Sequence, residues 1–385
     1  MNSRERLEMA LNHKEPDRVP SDLGGTVLSS INHNVYGRLR KQLGLPDVEV
    51  RLADIVQQVA VVDDDVRAVL KVDVRDVAPR SSANFNIGIK DDMPDYTYFY
   101  DEWGIGWKMP KVGGLYYDMF HHPLKGEITQ GDIDRYPWPD PAAPARFNGL
   151  RERARYADEV EKQGVIIGGL CAGIMEMVSW MRGFEDYFLD FAGNTKLMEY
   201  FLDKMVDLKM AYWERALEEG GDYVSAVVEA DDMAGQNGML ISPRTYRNVV
   251  KPRHKKLFDF IKSRTRAKVF FHSCGAVRSA IPDLIEAGID ILNPVQVSAA
   301  GMDSAELKRD FGRDISFWGG AVDAQNVLQT GGVQQVKDDA RRRIEDLAPG
   351  GGFVFAPIHN IQHNVPPENV VAMWQTLHEY GTYRK

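Results

Sequence analysis

The sequence predicts a (β/α)8 TIM barrel, an α/β fold, with an inserted antiparallel hairpin region. Three observations carry this. Eight short β-rich runs occur along the chain, longer amphipathic stretches separate most of them, and one aromatic, glycine-rich segment breaks the alternation. The runs are 19–25, 72–77, 164–169, 222–229, 268–272, 289–293, 315–319 and 352–356. Most are nearly continuous in apolar residues, as in Val165-Ile166-Ile167 and Phe353-Val354-Phe355, which is how a parallel strand buried on both faces reads. Strand–helix alternation implies right-handed crossovers and a parallel sheet. Eight such units favour a closed barrel, and a doubly wound open sheet is the rival arrangement.

The elements follow in order. A charged helix is expected over 3–12 with Ser3 as its N-cap, broken by Glu15-Pro16-Asp17-Arg18. Further helices are expected over 185–219, split near Gly193-Asn194, and over 242–263, with Pro243 in the first turn. Others are expected over 276–287, 304–311, 333–347 and 366–379. The insertion, about 84–125, contains Tyr96-Thr97-Tyr98-Phe99-Tyr100 and Trp103-Gly104-Ile105-Gly106-Trp107, a hairpin pattern. It is read as lying over the barrel mouth, either capping the core or covering a substrate. Residues 1–385 are read as one barrel domain.

Composition narrows the function classes. Hydrophobic residues make up 44% and charged residues 27%, an ordinary globular balance. A formal charge of −9 lacks the basic field of a nucleic-acid binder. Two cysteines, Cys171 and Cys274, rule against a disulfide framework and suit a reducing compartment. No apolar leader or run of membrane-spanning length is visible. A cytoplasmic enzyme is the expectation.

In such a barrel the active site lies at the C-terminal ends of the strands. Polar residues collect there: Asp22 after the first run, Glu229, Asp231 and Asp232 after the fourth, His272 and Cys274 after the fifth. Asn293 and Gln296 follow the sixth, Asp323 follows the Gly319-Gly320 that ends the seventh, and His359 follows the eighth. Imidazole and thiolate are preferred zinc ligands, and positions i and i+2 at a strand end can point the same way. His272 and Cys274 are therefore candidate ligands, with His359 as the third. The competing reading makes Cys274 a small packed residue beside a turn. The three carboxylates suit metal ligation, orientation of a histidine or acid–base work.

These residues, with Arg4-Glu5-Arg6, Pro16-Asp17-Arg18-Val19-Pro20, Gln236-x-Gly238, Phe271-His272-Ser273-Cys274-Gly275, Asn293-Pro294-Val295-Gln296, Gly319-Gly320-x-x-Asp323 and Pro366-Pro367-Glu368-Asn369-Val370, resemble the uroporphyrinogen decarboxylase superfamily over nearly the whole chain. One branch of it decarboxylates uroporphyrinogen without a cofactor and carries an Arg-Gln-Ala-Gly-Arg segment after the first strand. That region here, 21–30, has no arginine. The other branch contains cobalamin-linked methyltransferases with zinc on a His-x-Cys pair and a later Cys. His272 and Cys274 match the pair, and nine residues before Glu368 stands His359 where the branch has Cys. One thiolate fewer would make a stronger Lewis acid, suited to an ether or hydroxyl oxygen.

The resemblance thus implies a zinc-dependent methyltransferase that moves a methyl group from an O-methylated small molecule to the Co(I) corrinoid (cobalamin) of a separate protein. This chain has no Asp-x-His-x-x-Gly corrinoid signature of its own. Zinc would sit on His272, Cys274 and His359, with Glu229 or Asp232 as alternatives for the remaining shell. Asp231, Asp232 or Glu229 would handle the proton or orient a ligand. Asn293, Gln296, Asp22 and Trp318 would meet substrate, with Trp103 and Trp107 walling a dry pocket. A corrinoid protein would dock at the barrel mouth, and a homodimer is expected. Two alternatives stand beside this: a metal-free decarboxylase of a polycarboxylate held by Arg80 or Arg182, and a non-catalytic corrinoid- or small-molecule-binding protein.

Overall fold

The computed structural model describes residues 1–82 and 85–383, so the first residue of the expected insertion, 84, lies outside the described residues. Twelve strands occur among them. A hairpin of β1 (Leu52–Asp54) and β2 (Val59–Ala60) precedes β3 (Val74–Asp76). β4 (Tyr96–Tyr100), β5 (Gly106–Pro110) and β6 (Asp118–His121) form an antiparallel sheet. β7 (Gly164–Gly168), β8 (Ala226–Ala230), β9 (Lys268–His272), β10 (Ile291–Asn293), β11 (Ser316–Trp318) and β12 (Phe353–Val354) follow. With β3 these last six make one parallel sheet, ordered β12-β11-β10-β9-β8-β7-β3. Val165, Ile166, Ile167, Val227, Phe270 and Phe317 are buried along it, as their apolar runs required.

The eighth barrel position is filled by 19–22, the first run of the sequence reading, but not as a regular strand. Pro20 has no N–H to give a ladder, and the pairing shrinks to a parallel bridge between Ser21 and Phe355. Backbone bonds still close the ring on both sides: Phe355 N–H donates to the Pro20 carbonyl, and Asp73 N–H to that of Ser21, each at 2.9 Å. The seam is reinforced by charge. The Asp73 carboxylate, fully buried, accepts from Arg6 Nη1 and Arg18 Nη1 at 2.7 Å and from Ser21 N at 2.8 Å. A buried carboxylate needs such full pairing to be tolerated.

The helices Ser304–Phe311 and Val333–Leu347 coincide with the amphipathic reading, and the expected split falls between Phe184–Gly193 and Thr195–Gly220. Two readings are corrected, and one helix is added. The first helix, Ser3–Leu11, is capped by Asn2 and not Ser3, because the Asn2 side chain accepts from Glu5 N while Glu5 answers to Asn2 N. The expected 242–263 helix begins at Pro243 but widens over Tyr246–Val250 before Pro252, whose ring removes a donor from the helical ladder. Finally, the helix Ile174–Arg182 after β7 was not read from the sequence; its position proves central below.

In the inserted sheet, Phe99 pairs with Trp107 and Tyr98 with Lys108. Trp103 and Trp107 are buried, Trp103 edge-on to Trp138 at 6.2 Å and Trp107 edge-on to Trp180 at 5.5 Å, so they pack the insertion against its neighbours. Among the described residues no helix is long and apolar enough to cross a membrane.

Candidate metal centre

Residues on a strand alternate between the two faces of the sheet. On β9, Phe271 packs outward against His254 and Phe258, while Phe270 meets Trp318 across the barrel. His272 shares the face of Phe270. The chain then turns at Gly275, which takes φ +89° and whose Cβ would lie 2.5 Å from the Ala234 carbonyl oxygen, so only glycine fits. This returns Cys274 beside His272, with Sγ 3.4 Å from Nε2. His359, on the segment after β12, completes the group: its ring centre is 5.5 Å from that of His272, and one donor atom from each of the three lies within 4.8 Å of the others.

The donor set fits a zinc ion. With Zn–S about 2.3 Å and Zn–N about 2.05 Å, a tetrahedral S···N edge is about 3.6 Å. The Sγ–Nε2 separation here is close to that. The ring of His272 is also aimed correctly. Its Nδ1 faces Asn293 Oδ1 at 2.5 Å, while Asn293 Nδ2 donates to the Trp318 carbonyl at 2.8 Å. The amide is thereby oriented to accept, Nδ1 carries the hydrogen, and the Nε2 lone pair faces the trio. Burial, then the neighbouring His272, pulls His359 down to about 4, so its ring is neutral and able to ligate at physiological pH. Burial, with Asp232 and Glu176 adding to it, raises the Cys274 thiol well above its usual range.

Strand alternation also sorts the carboxylates. Glu229 faces the helical layer: its Oε2 takes Lys209 Nζ at 2.8 Å and its Oε1 takes Trp213 Nε1 at 2.5 Å, with Lys209 fully buried. Asp231 faces the same way and is fully buried. It accepts from Met175 N at 2.8 Å, Glu176 N at 2.9 Å and His254 Nε2 at 2.7 Å. Two of the three expected acid–base residues are thus spent on packing and do not meet the trio. Asp232 does: its Oδ1 accepts from Cys274 N at 2.7 Å and lies 3.7 Å from His272 Nε2.

Of the expected substrate contacts, Asn293 orients His272, and Gln296 Oε1 accepts from Gly275 N at 2.7 Å, holding the turn behind Cys274. Asp22 and Trp318 are fully buried and bonded to each other, Trp318 Nε1 donating to Asp22 Oδ2 at 2.9 Å. Of the two arginines weighed for substrate carboxylates, Arg182 is buried and occupied by Asp190, Leu124 O and Gly126 O.

Two acids escaped the sequence reading. Glu176, half-buried at the third position of Ile174–Arg182, is pushed up to about 8 by burial and then by Asp232 and Asp231. It therefore holds a proton at neutral pH beside Cys274 and Asp232. The signal was present: Gly173 with Glu176 three residues on marks a helix start. Asp76 ends β3, reached by water but walled by protein that pushes it up to about 7 against the pull of Arg67. Its place at a strand's C-terminal end was the overlooked signal.

A pocket of about 310 Å³ opens beside His359, lined by Val56, Gln57, Leu115, Tyr116, Tyr117 and Asn360 among others. The stretch between β5 and β6 thus brings the insertion to the barrel mouth. A larger cavity, about 500 Å³, is lined by Ser82, Glu102 and Asp140 among others, and among the described residues none of the trio lines it.

Comparison with known proteins follows from this geometry. The fold aligns over 99% of this chain and 99% of the other with a methyltransferase from Methanosarcina mazei, at TM-score 0.66 and 17% identity. Xylanase 10B from Thermotoga maritima aligns at TM-score 0.37 and 11% identity, over 60% of this chain and 80% of that one. A GH113 β-1,4-mannanase aligns at TM-score 0.36 and 10% identity, over 93% and 99%. No curated protein matches the sequence. Residues 119–380, well over half of the chain, match the family model described as Uroporphyrinogen decarboxylase (URO-D), and the chain belongs to that family.

Proposed function

We propose that this chain is a zinc-dependent methyltransferase that takes the methyl group of an O-methylated small molecule and passes it to the Co(I) corrinoid of a separate protein. The observation that carries the reading is the convergence of His272, Cys274 and His359 at the C-terminal ends of the barrel strands, three donors beside an open pocket. The structural likeness to a protein described as a methyltransferase supports it. A metal held by three protein groups with a free position is the arrangement of a catalytic site, not a structural one. Bound there, zinc would supply Lewis acidity toward the substrate oxygen.

The protein's own residues do the rest. Asn293 holds the His272 ring with Nε2 turned toward the trio. Asp232 fixes Cys274 through its backbone N–H. Glu176, protonated at neutral pH, is the candidate donor of the proton that the departing oxygen needs. The decarboxylase reading loses an expected anchor because Arg182 is occupied in the fold.

Metal analysis by plasma mass spectrometry tests the reading. About one zinc per chain is expected in the wild type and little in Cys274→Ala, followed by methyl transfer from a methoxylated compound to a Co(I) corrinoid protein. A wild type that takes up no stoichiometric metal when zinc is supplied would sink the proposal.

A further inference from the structure

The helix Phe184–Gly193 turns an apolar face to solvent. Its exposed residues are Phe184, Glu185, Phe188, Leu189, Ala192 and Gly193, and of these only Glu185 is charged. Phe184 and Leu189 are 52% and 62% exposed, and the rings of Phe184 and Phe188 stack with centres 6.3 Å apart. The other acids of the helix are engaged: Asp186 Oδ2 accepts from Gly126 N at 2.7 Å, and Asp190 Oδ2 from Arg182 Nε at 2.9 Å. Tyr187 turns inward and is buried. These bonds and Tyr187 hold the helix on the barrel, while its large apolar side chains are left in water. Single exposed apolar residues are ordinary, but a contiguous group on one helix face marks an interaction surface.

The exposed positions of the helix are symmetric. They map onto themselves when the helix is reversed about the midpoint between Phe188 and Leu189: Phe184 exchanges with Gly193, Glu185 with Ala192, and Phe188 with Leu189. A two-fold interface needs this property, because the same patch must face itself. Two copies laid antiparallel set the Phe184 ring of each over Gly193 of the other, a large side chain against none. The charges agree with the shapes. Glu185 stands in the first turn, and Lys196 is exposed just past the far end, at the start of Thr195–Gly220. Reversal therefore brings Glu185 of each copy toward Lys196 of the other. The contact is modest in size. A helix of 10 residues is about 15 Å long and about 10 Å wide, less than the roughly 800 Å² per partner of a standard interface. The segment at Gly126, tied to Asp186, widens it, and association of micromolar strength is expected.

We infer that two copies of this chain associate through Phe184–Gly193, packed antiparallel about a two-fold axis that passes between Phe188 and Leu189. The surface shares no residue with the His272, Cys274 and His359 trio. The association is therefore independent of the methyl-transfer reading and is measured without metal or substrate.

Sedimentation equilibrium of the full chain from about 1 to 200 μM tests it, with a dimer Kd of about 10 μM expected for the wild type. Leu189→Lys sets two like charges at the centre of the interface and should weaken association about 100-fold. The side chain is exposed, so the variant should melt as the wild type does. Glu185→Lys faces Lys196 twice across the axis and should weaken association about tenfold, while Glu185→Lys combined with Lys196→Glu should restore it to within about threefold. The restoration is specific to a copy that faces itself. A wild type that stays monomeric over the whole range overturns the inference, as does a Leu189→Lys chain that dimerises like the wild type or a charge exchange that fails to restore association. A wild type that is monomeric alone and buries this helix only against an added corrinoid protein would overturn it too, and would assign the face to that partner.

Discussion

Glu229 offers the sharpest test, because the sequence placed it with the acid–base residues and the fold places it in a packed ion pair. In Glu229→Ala the Lys209 ammonium would remain fully buried with no counter-charge, and Trp213 Nε1 would lose its acceptor. Burial pulls Lys209 down, but the Glu229 carboxylate outweighs it and the net displacement is upward, which shows how tightly the two charges depend on each other. Removing one partner of such a pair costs about 3–5 kcal/mol. Unfolding entropy of about 2.1 cal/mol/K per residue gives about 0.8 kcal/mol/K for this 385-residue chain. The midpoint should therefore fall by about 4–6 °C. Replacing both partners, as Lys209→Met with Glu229→Leu, should recover most of the loss, since an apolar pair of similar volume is often neutral. Scanning calorimetry at a fixed rate reads the shift, the rate being held because chains of this size often unfold irreversibly. Metal content and turnover measured well below the transition should stay near wild type. A Glu229→Ala protein with an unchanged midpoint but no turnover would refute the assignment and return this residue to the chemistry.

Three further outcomes are expected. Asn293→Ala should weaken zinc binding about 10- to 100-fold by freeing the His272 ring, with little loss of thermal stability; competition with a chelator reads this, and unchanged affinity would mean the ring is held by something else. Glu176 binds its proton more tightly folded than unfolded, from an ordinary 4.5 up to about 8, so the stability it contributes is fully present below about 4.5 and is lost as pH rises through 8; urea midpoints across that window should decline, and Glu176→Gln should flatten the decline. Gly173→Ala would put a Cβ 1.8 Å from the Ala230 carbonyl oxygen and 1.9 Å from Asp231 Oδ1, displacing the start of Ile174–Arg182 and with it Glu176; circular dichroism with a metal titration should show a less stable protein, and a wild-type melting curve would count against this close approach.

The barrel was legible because buried parallel strands must be apolar on both faces, and runs such as Val165-Ile166-Ile167 have few other uses. The run at 19–22 read as a strand by composition, yet Pro20 limits it to a bridge, and what closes the ring there is backbone bonding together with Asp73 and two arginines, a long-range network that no local pattern announces. The trio was legible in part for the same reason. His272 and Cys274 are two residues apart on one strand end, and a strand end fixes which way such residues point. The partner role of Asn293 depends on the neighbouring strand, β10, lying in register with β9, Asn293 opposite His272.

The carboxylates show where sequence reasoning lost resolution. Glu229, Asp231 and Asp232 were equivalent as a cluster, but one residue of alternation is the width of a barrel wall. Glu229 and Asp231 point into the helices, where Lys209, His254 and the start of Ile174–Arg182 consume them. Asp232, at the other parity, reaches Cys274. The two faces are nonetheless coupled. By accepting from Met175 N and Glu176 N, the buried Asp231 anchors the helix start that carries Glu176 to the site, and the adjacent Asp232 supplies much of the negative field that keeps Glu176 protonated. Burial comes first in raising Glu176, and the neighbours that strand alternation sends to opposite sides of the wall add to it. Substituting Asp231 should therefore disturb Glu176 through position, and substituting Asp232 should disturb it through charge.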